Sequence, residues 1–194
     1  MPWDTSDITP LFSRARVNYM QELIADAREK GATVVGGEII GGDESTLMRP
    51  ATVYGVTKAM RLWTEEQFGP IVAVSFYDPG DGKKKEKAFE EIVAFARDGE
   101  YGQQISLFAS DSDGDALKFF VDKFSKIYGK INVNAAAGRS PDDLAFSGRR
   151  SSAMGTMSVE KALEAFTVET VVAGKGGGAE KLWKESWEGT KFAE

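Results

Sequence analysis

From residue 71 onward, the sequence alternates between short apolar segments and longer segments whose apolar residues recur at helical spacing. The strand-like segments are 71–77, 105–108 and 130–133, and the helix-like segments are 83–97 and 113–128. Such alternation predicts a parallel or mostly parallel sheet that is covered by helices. We therefore expect the α/β fold class, with a mostly parallel sheet flanked by helices.

The rest of the chain adds further elements on both sides of this region. Ser13 is placed to cap a helix that runs to about Lys30, because apolar residues follow it at helical spacing. The other expected elements are strands at 33–35 and 51–54 around a Gly-rich loop at 38–49, a long loop at 135–157, a short helix at 160–165 and a last strand at 167–172.

Two missing residue types exclude several classes of site. The 194 residues include no cysteine and no histidine, so the chain offers no thiolate, no disulfide, no Cys/His zinc site and no Ser-His-Asp triad. Chemistry by this chain alone would have to use Asp, Glu, Lys, Ser or Tyr, and no constellation of these supports an independent carboxylate enzyme. We therefore predict no catalytic residue and no metal site here.

Charge and hydropathy limit the environment of the chain. The net charge of −6 argues against nonspecific binding to nucleic acid or to an anionic membrane. No apolar run approaches the roughly 18 residues of a membrane span. The first residues resemble neither a signal peptide nor an Arg-rich transit peptide. A cytoplasmic location is the default expectation, with an organelle as the alternative if a presequence has been removed.

An unusual turn, Glu65-Glu66-Gln67-Phe68-Gly69-Pro70, precedes the strand at 71–77. Gly69 allows close backbone approach, while Pro70 fixes its own φ and restricts the residue before it. The chain should therefore enter the strand stiffly and hold Glu66 and Phe68 in fixed positions. On residue types alone, a surface turn with two solvated acids and one core Phe is the alternative.

A second distinctive stretch follows the strand at 130–133. It begins as Asn132-Val133-Asn134-Ala135-Ala136-Ala137-Gly138-Arg139-Ser140-Pro141-Asp142, and it ends as Phe146-Ser147-Gly148-Arg149-Arg150-Ser151-Ser152-Ala153-Met154-Gly155-Thr156. A loop of this length in a compact domain is usually functional or disordered.

Both stretches resemble the catalytic domain of the aldehyde dehydrogenase superfamily. The first is similar to its Glu-Glu-x-Phe-Gly-Pro signature, and the second to its pattern of a short strand, Asn, and Phe-x-Gly-x-Lys/Arg-x-Ser-x-x-Gly. The Arg-x-Pro-Asp and Gly-Arg-Arg-x-Ser-Ala-x-Gly-Thr variants look like the branch of NADP-dependent, non-phosphorylating glyceraldehyde-3-phosphate dehydrogenases. The resemblance covers roughly residues 3–173.

The resemblance implies roles for three residues. In the family the second Glu of the pair binds the nicotinamide ribose hydroxyls and the Phe packs near the nicotinamide ring, which would make Glu66 and Phe68 contacts to NADP or NAD. A carboxylate suits two hydroxyl donors, and an aromatic face suits a flat ring. In the branch, an Arg at the position of Arg139 helps to hold the substrate phosphate. The alternative is a loop Arg that pairs with Asp142 or Asp143.

The family pattern is incomplete in this chain. The family's catalytic Cys, its general-base Glu and its Rossmann-like cofactor domain all lie upstream of the matching region. Alanines stand at 135–137, and Ala145 stands where relatives usually carry Pro. The resemblance therefore implies the C-terminal portion of an NAD(P)-dependent aldehyde dehydrogenase that is inactive alone, binds cofactor only when the missing half completes it, and works with a companion polypeptide.

The alternative function is a catalytically dead accessory or structural subunit of a larger assembly. The strand at 167–172 resembles the family's C-terminal strand, which would lose its pairing partner and become an exposed edge. This strand and the Trp-bearing tail 176–194 are the candidate docking elements. The expected organisation is a partial aldehyde dehydrogenase domain at 1–173, followed by a Gly-rich linker and tail at 174–194.

Overall fold

The computed structural model describes residues 6–78, 80, 82–138, 144–171, 173, 175–178, 181 and 185. The chain divides into two compact units, Met1–Gly99 and Glu100–Glu194, which we call the N-terminal and C-terminal units. The boundary expected at 173–174 stays a prediction, because residues 172 and 174 and most of the tail lie outside the described residues.

The first helix, α1, is the main support of the N-terminal unit. It spans Arg14–Glu29, and the Ser13 hydroxyl caps it by accepting a hydrogen bond from the Arg16 N–H at 3.2 Å. Gly31 ends it with a φ of +94°, a conformation that glycine adopts without steric cost. Its buried face consists of Val17, Met20, Leu23, Ile24 and Ala27. The predicted helix, its cap and its end are confirmed.

The described residues of the N-terminal unit then form the strands β1 (Thr33–Gly36), β2 (Ile39–Ile40), β3 (Leu47–Met48), β4 (Ala51–Tyr54) and β5 (Ile71–Val74). The main sheet has the order β1-β4-β5, in which β4 and β5 are parallel and β1 runs antiparallel to β4. Its inner face meets α1 in a core that includes Val53, Ala51 and Ile71. The core fixes the position of Ile71, and therefore of the turn that precedes it.

Two predicted boundaries in this unit were wrong. The predicted loop at 38–49 contains the β2-β3 hairpin, which forms because Met48 is buried in the core. The strand predicted at 71–77 ends at Val74, since the Val74 carbonyl accepts from both Gly55 and Val56 and the ladder stops there.

A helix is the last element of the N-terminal unit in the sequence. This helix, α2, spans Lys83–Asp98 and buries Ala88, Val93 and Ala96, which confirms the prediction for 83–97. Its Phe95 ring makes an edge-to-face contact with Trp63, with 4.9 Å between the ring centroids. Trp63 ends a short 3₁₀ helix, Arg61–Trp63, so this contact supports the segment that leads into the turn.

The C-terminal unit is built on a parallel strand pair. Strands β6 (Gln104–Leu107) and β7 (Lys130–Val133) pair in parallel, and helix α3 (Gly114–Phe124) lies between them in the sequence. This strand-helix-strand order agrees with the prediction, and α/β is confirmed as the fold class. The helix predicted to reach Tyr128 ends at Phe124, where the Phe124 carbonyl accepts from Ile127 and Tyr128 in a closing turn.

The last part of the chain departs most from expectation. The predicted loop at 135–157 contains a small hairpin of β8 (Phe146–Ser147) and β9 (Thr156–Met157), and helix α4 (Val159–Glu164) follows it. The strand predicted at 167–172 is wrong over its described part, since residues 167–171 form no strand. No described strand pairs with this segment, and a strand without a ladder partner is not held.

Among the described residues, no helix combines the length and the apolar character needed to cross a membrane.

Candidate functional site

The candidate site is the turn of residues 65–70, which the structure describes completely. It begins at Glu65, directly after Thr64, the C-cap residue of the 3₁₀ helix Arg61–Trp63, and ends at β5. The Pro70 carbonyl accepts a hydrogen bond from the Ala51 N–H at 2.8 Å, which joins the end of the turn to β4. The turn is therefore anchored to the sheet at its C-terminal end.

Glu65, the first acid of the pair, faces the protein. Its carboxylate accepts two hydrogen bonds from Arg61, at 2.7 and 3.0 Å, and one from the Tyr19 hydroxyl at 2.8 Å. The Arg61 guanidinium, and after it the Tyr19 hydroxyl, lower the pKa of Glu65. The same bond raises the pKa of Tyr19, because the carboxylate favours the neutral phenol. Glu65 is thus an ionised anchor.

Arg16 of α1 holds the backbone of the turn. Its guanidinium donates to the Phe68 carbonyl from Nε at 3.3 Å and from Nη2 at 3.1 Å, and Nη2 also donates to the Gln67 carbonyl. The Arg16 guanidinium carbon lies 5.0 Å from the centroid of the Tyr19 ring, within the range of a cation–π contact. Two successive carbonyls of the turn are therefore fixed from the helix.

Gln67 and Gly69 complete the inward side of the turn. The Gln67 side-chain amide donates to the Ile71 carbonyl at 2.6 Å. A Cβ on Gly69 would lie 2.6 Å from the Met20 sulfur, so glycine allows the backbone to approach the core here, as the sequence predicted.

The other two side chains of the turn face solvent. Phe68 is 78% exposed, with a φ of +33°, and the exposed Glu66 makes no hydrogen bond or ion pair with any described residue. The alternative of two solvated acids and a core Phe is wrong on both counts, because Glu65 is hydrogen-bonded and Phe68 is not buried. The turn thus displays one carboxylate and one aromatic face.

These two side chains fit what a nicotinamide nucleotide requires. An uncommitted carboxylate has acceptor positions for both hydroxyls of a ribose, and an exposed ring has a face available for a flat heterocycle. Among the described residues, no cluster of three or more Asp, Glu, Cys or His side chains is arranged to hold a metal ion.

The second stretch, in the C-terminal unit, uses its polar side chains differently. The Asn132 amide donates to the Ile105 carbonyl at 3.1 Å, and Asn134 both accepts from Ala109 N–H at 2.8 Å and donates to Ala109 O at 3.0 Å. Arg149 donates to the Ser125 carbonyl at 2.6 Å. These contacts shape the backbone. Arg139, the predicted phosphate contact, lies outside the described residues.

The sequence analysis missed the residues that hold the turn. Arg61 and Glu65 are four residues apart, a spacing at which opposite charges commonly pair, and this pair could have been found. Arg16 and Tyr19 are 52 and 46 residues from their partners in the turn, and no local pattern indicates contacts at such separations.

Comparison with known proteins identifies the fold. A model of the aldehyde dehydrogenase family matches residues 2–172. The NADP-dependent glyceraldehyde-3-phosphate dehydrogenase of Streptococcus equinus is 32% identical over 167 residues, which are 86% of this chain and 32% of that protein. The vanillin dehydrogenase of a Pseudomonas species is 33% identical over 76% of this chain and 27% of its own length.

Solved structures give the same result. The crystal structure of NADP-dependent glyceraldehyde-3-phosphate dehydrogenase from Bacillus halodurans, complexed with NADP, superimposes with a TM-score of 0.66 at 29% identity, over 81% of this chain and 30% of that one. The chain thus spans about a third of the length of these relatives.

Proposed function

Since this chain belongs to the aldehyde dehydrogenase family, we propose that it supplies the nicotinamide-ribose contacts of an NAD(P)-dependent enzyme that oxidises an aldehyde to the acid. The observation that carries the proposal is the turn at 65–70, whose backbone is held by Arg16 and whose Glu66 and Phe68 side chains are free and exposed. A rigid display of two ligand-type side chains is what a preorganised binding site requires.

Each side chain has a separate role in the proposal. Glu66 accepts hydrogen bonds from the ribose hydroxyls and so sets the position of the ring. Phe68 packs near the nicotinamide and limits the access of water to it. NADP, when bound, supplies the hydride acceptor of the reaction.

The nucleophile of the reaction must come from elsewhere. This sequence has no cysteine, and the family's mechanism, as the sequence resemblance implies it, needs a thiolate to attack the aldehyde. We propose that a companion polypeptide, or a preceding segment of a longer protein, provides the thiol and the cofactor domain. Its substrate is an aldehyde of the glyceraldehyde 3-phosphate type, with Arg139 on the phosphate, in keeping with the activity named for the Streptococcus relative.

The test measures NADPH affinity in the assembled protein. The chain is purified from its source under gentle conditions with whatever polypeptide accompanies it, and NADPH is titrated by fluorescence. We expect Glu66→Gln to weaken binding about tenfold, because a neutral amide replaces charge-assisted hydrogen bonds. Glu44→Gln is the matched control, since Glu44 is an exposed acid of the same unit. Equal affinity of wild type and Glu66→Gln would overturn the cofactor role.

A second candidate function is an accessory subunit of a larger assembly. It is favoured by exposed apolar side chains near the end of the C-terminal unit, where Phe166 is 92% and Val168 is 93% exposed, as expected of an interaction surface. Residues 167–171 and the tail 176–194 are its proposed docking elements. Native mass spectrometry separates the two functions: a companion with a reactive Cys supports the enzyme, and a large assembly without one supports the subunit.

A further inference from the structure

We propose that Arg16 is a positioning residue for the turn at 65–70: from α1, its guanidinium fixes the two carbonyls that flank Phe68 and so sets the direction in which Glu66 and Phe68 face. The part of this inference that concerns the cofactor rests on the proposed function. The part that concerns the turn stands on the geometry of the chain alone.

The contacts of Arg16 define one pair of backbone dihedrals. The Gln67 carbonyl precedes the φ bond of Phe68, and the Phe68 carbonyl follows its ψ bond. The planar guanidinium donates to both carbonyls, and a fork of fixed geometry does this where a single ammonium does not. Arg16 thus restricts rotation at Phe68 in particular, rather than the turn in general.

Phe68 needs such a restraint. Its φ of +33° lies on the positive side, where residues other than glycine are strained. Residues held in sparsely populated backbone regions persist only when their surroundings determine them. The Phe68 side chain is exposed and contributes little packing of its own. Without Arg16, the backbone of Phe68 relaxes toward negative φ, and the ring and the neighbouring carboxylate turn with it.

The arginine is itself held in place. Its N–H donates to the Ser13 hydroxyl that caps α1, and its guanidinium lies against the Tyr19 ring. Tyr19 in turn donates to Glu65. One turn of α1 therefore restrains both the carboxylate that begins the turn and the carbonyls at its centre.

Arg14 provides a matched control within the same helix. It lies two residues before Arg16, and its Nη1 donates to the Ser45 carbonyl at 2.8 Å, in the loop between β2 and β3. Both arginines are on the first turn of α1, and both bind a backbone carbonyl. They differ in the loop that they hold and in the number of bonds, since the Arg14 side chain makes one hydrogen bond to the described residues, whereas the Arg16 side chain bonds to two carbonyls and lies against the Tyr19 ring.

The first measurement is the ¹⁵N order parameter of the Phe68 amide in the chain. We expect a value near 0.85 in the wild type, a fall below about 0.6 in Arg16→Ala, and an intermediate value in Arg16→Lys, which retains the charge but not the fork. Arg14→Ala should leave the Phe68 value unchanged. An unchanged value in Arg16→Ala, or an equal fall in Arg14→Ala, overturns the inference.

The second measurement is NADPH affinity in the assembled protein, with Glu66→Gln beside the arginine variants. We expect Arg16→Ala to weaken binding about fivefold, Arg16→Lys to restore part of it, and Arg14→Ala to match the wild type. If Glu66→Gln weakens binding and Arg16→Ala does not, the inference fails and the proposed function stands. If neither variant affects binding, the proposed function fails, and the order parameters still decide whether Arg16 holds the turn.

Discussion

The turn at 65–70 and the stretch that follows β7 are held in place in opposite ways. The turn is held by donors from elsewhere, from Arg16 above all, so that Glu66 and Phe68 remain free. The described part of the second stretch is held by its own side chains: Asn134 bonds to Ala109, and Arg149 donates to the Ser125 carbonyl at the end of α3. Both regions carry strong sequence motifs. In their described parts, the turn leaves two motif side chains exposed, whereas the Asn and Arg side chains of the second stretch bond to the backbone.

This difference separates two roles that a residue of a sequence motif can have. A polar residue in a recognisable pattern either contacts a ligand or builds the frame that holds the ligand site, and its type does not distinguish the two. The partner of the side chain does: a bond to a backbone carbonyl indicates a role in the frame, and a motif side chain that is exposed and unpartnered is available to a ligand. On this criterion Arg149 belongs to the frame, and Glu66 is available to the proposed ligand.

The largest effect on stability is expected at Gly129, the residue before β7 in the C-terminal unit. A Cβ at this position would lie 1.7 Å from the Ser147 carbonyl oxygen, and backbone on both sides leaves no flexible side chain to yield. We expect Gly129→Ala to lower the free energy of unfolding by about 3 kcal/mol, a large overpacking effect. Urea unfolding measures the loss, and amide exchange in β6 and β7 should locate it in the C-terminal unit.

Gly114 is the control for that substitution. It is the first residue of α3, and an added Cβ would meet nothing within 4 Å. Gly114→Ala should therefore leave stability unchanged or raise it by about 0.5 kcal/mol, because alanine restricts the unfolded chain. A similar loss in both variants would mean that close approach at Gly129 is not the cause.

A smaller effect is expected at Asn134, where the frame depends on one side chain. Asn134 has a φ of +50° and makes two hydrogen bonds to Ala109. Asn134→Ala loses both bonds and strains the backbone, and should cost about 2 kcal/mol. Asn134→Gly keeps the backbone conformation and should cost about 1 kcal/mol. Equal losses in the two variants, measured by urea unfolding, would show that the positive φ contributes nothing.

The sequence predicted the main helices and strands better than the details of the fold, because local patterns indicate the former and contacts between residues distant in sequence determine the latter. The helix from Ser13 and the parallel pair β6-β7 follow from local periodicity and from capping and Gly chemistry, whereas residue types alone left open whether Phe68 is exposed or buried. The β2-β3 hairpin was missed because it depends on the burial of Met48 against distant residues. The strand at 167–172 was predicted from β-branched composition, which does not ensure a partner.

The same limit applies to the candidate site. Glu66 and Phe68 were found because they stand in a short motif. Arg16 was not found, because its partners are 51 and 52 residues away. Every residue has a backbone carbonyl, so the residue type of the acceptor does not indicate such a contact.

The smallest expected effect concerns Glu65, the inward acid of the turn, and appears as pH dependence. Arg61 and Tyr19 lower the folded-state pKa of Glu65, so its contribution to stability is present above the unfolded pKa of about 4.3 and is lost as the pH falls through the folded value. The stability difference between wild type and Glu65→Gln should therefore be larger at pH 7 than at pH 3. Asp26, whose pKa is also lowered, titrates in both proteins and cancels.

Tyr19→Phe refines this test, because it removes only the second cause of the lowered pKa of Glu65 and leaves Arg61 in place. The stability that Tyr19→Phe loses between pH 7 and pH 3, measured as the shift of the urea midpoint, should be smaller than the loss of the wild type and larger than that of Glu65→Gln. A difference that is the same at both pH values would mean that Glu65 contributes through packing rather than through charge. The turn would then be held by Arg16 and Gln67 without electrostatic help from its first acid, and its display of Glu66 should persist in acid.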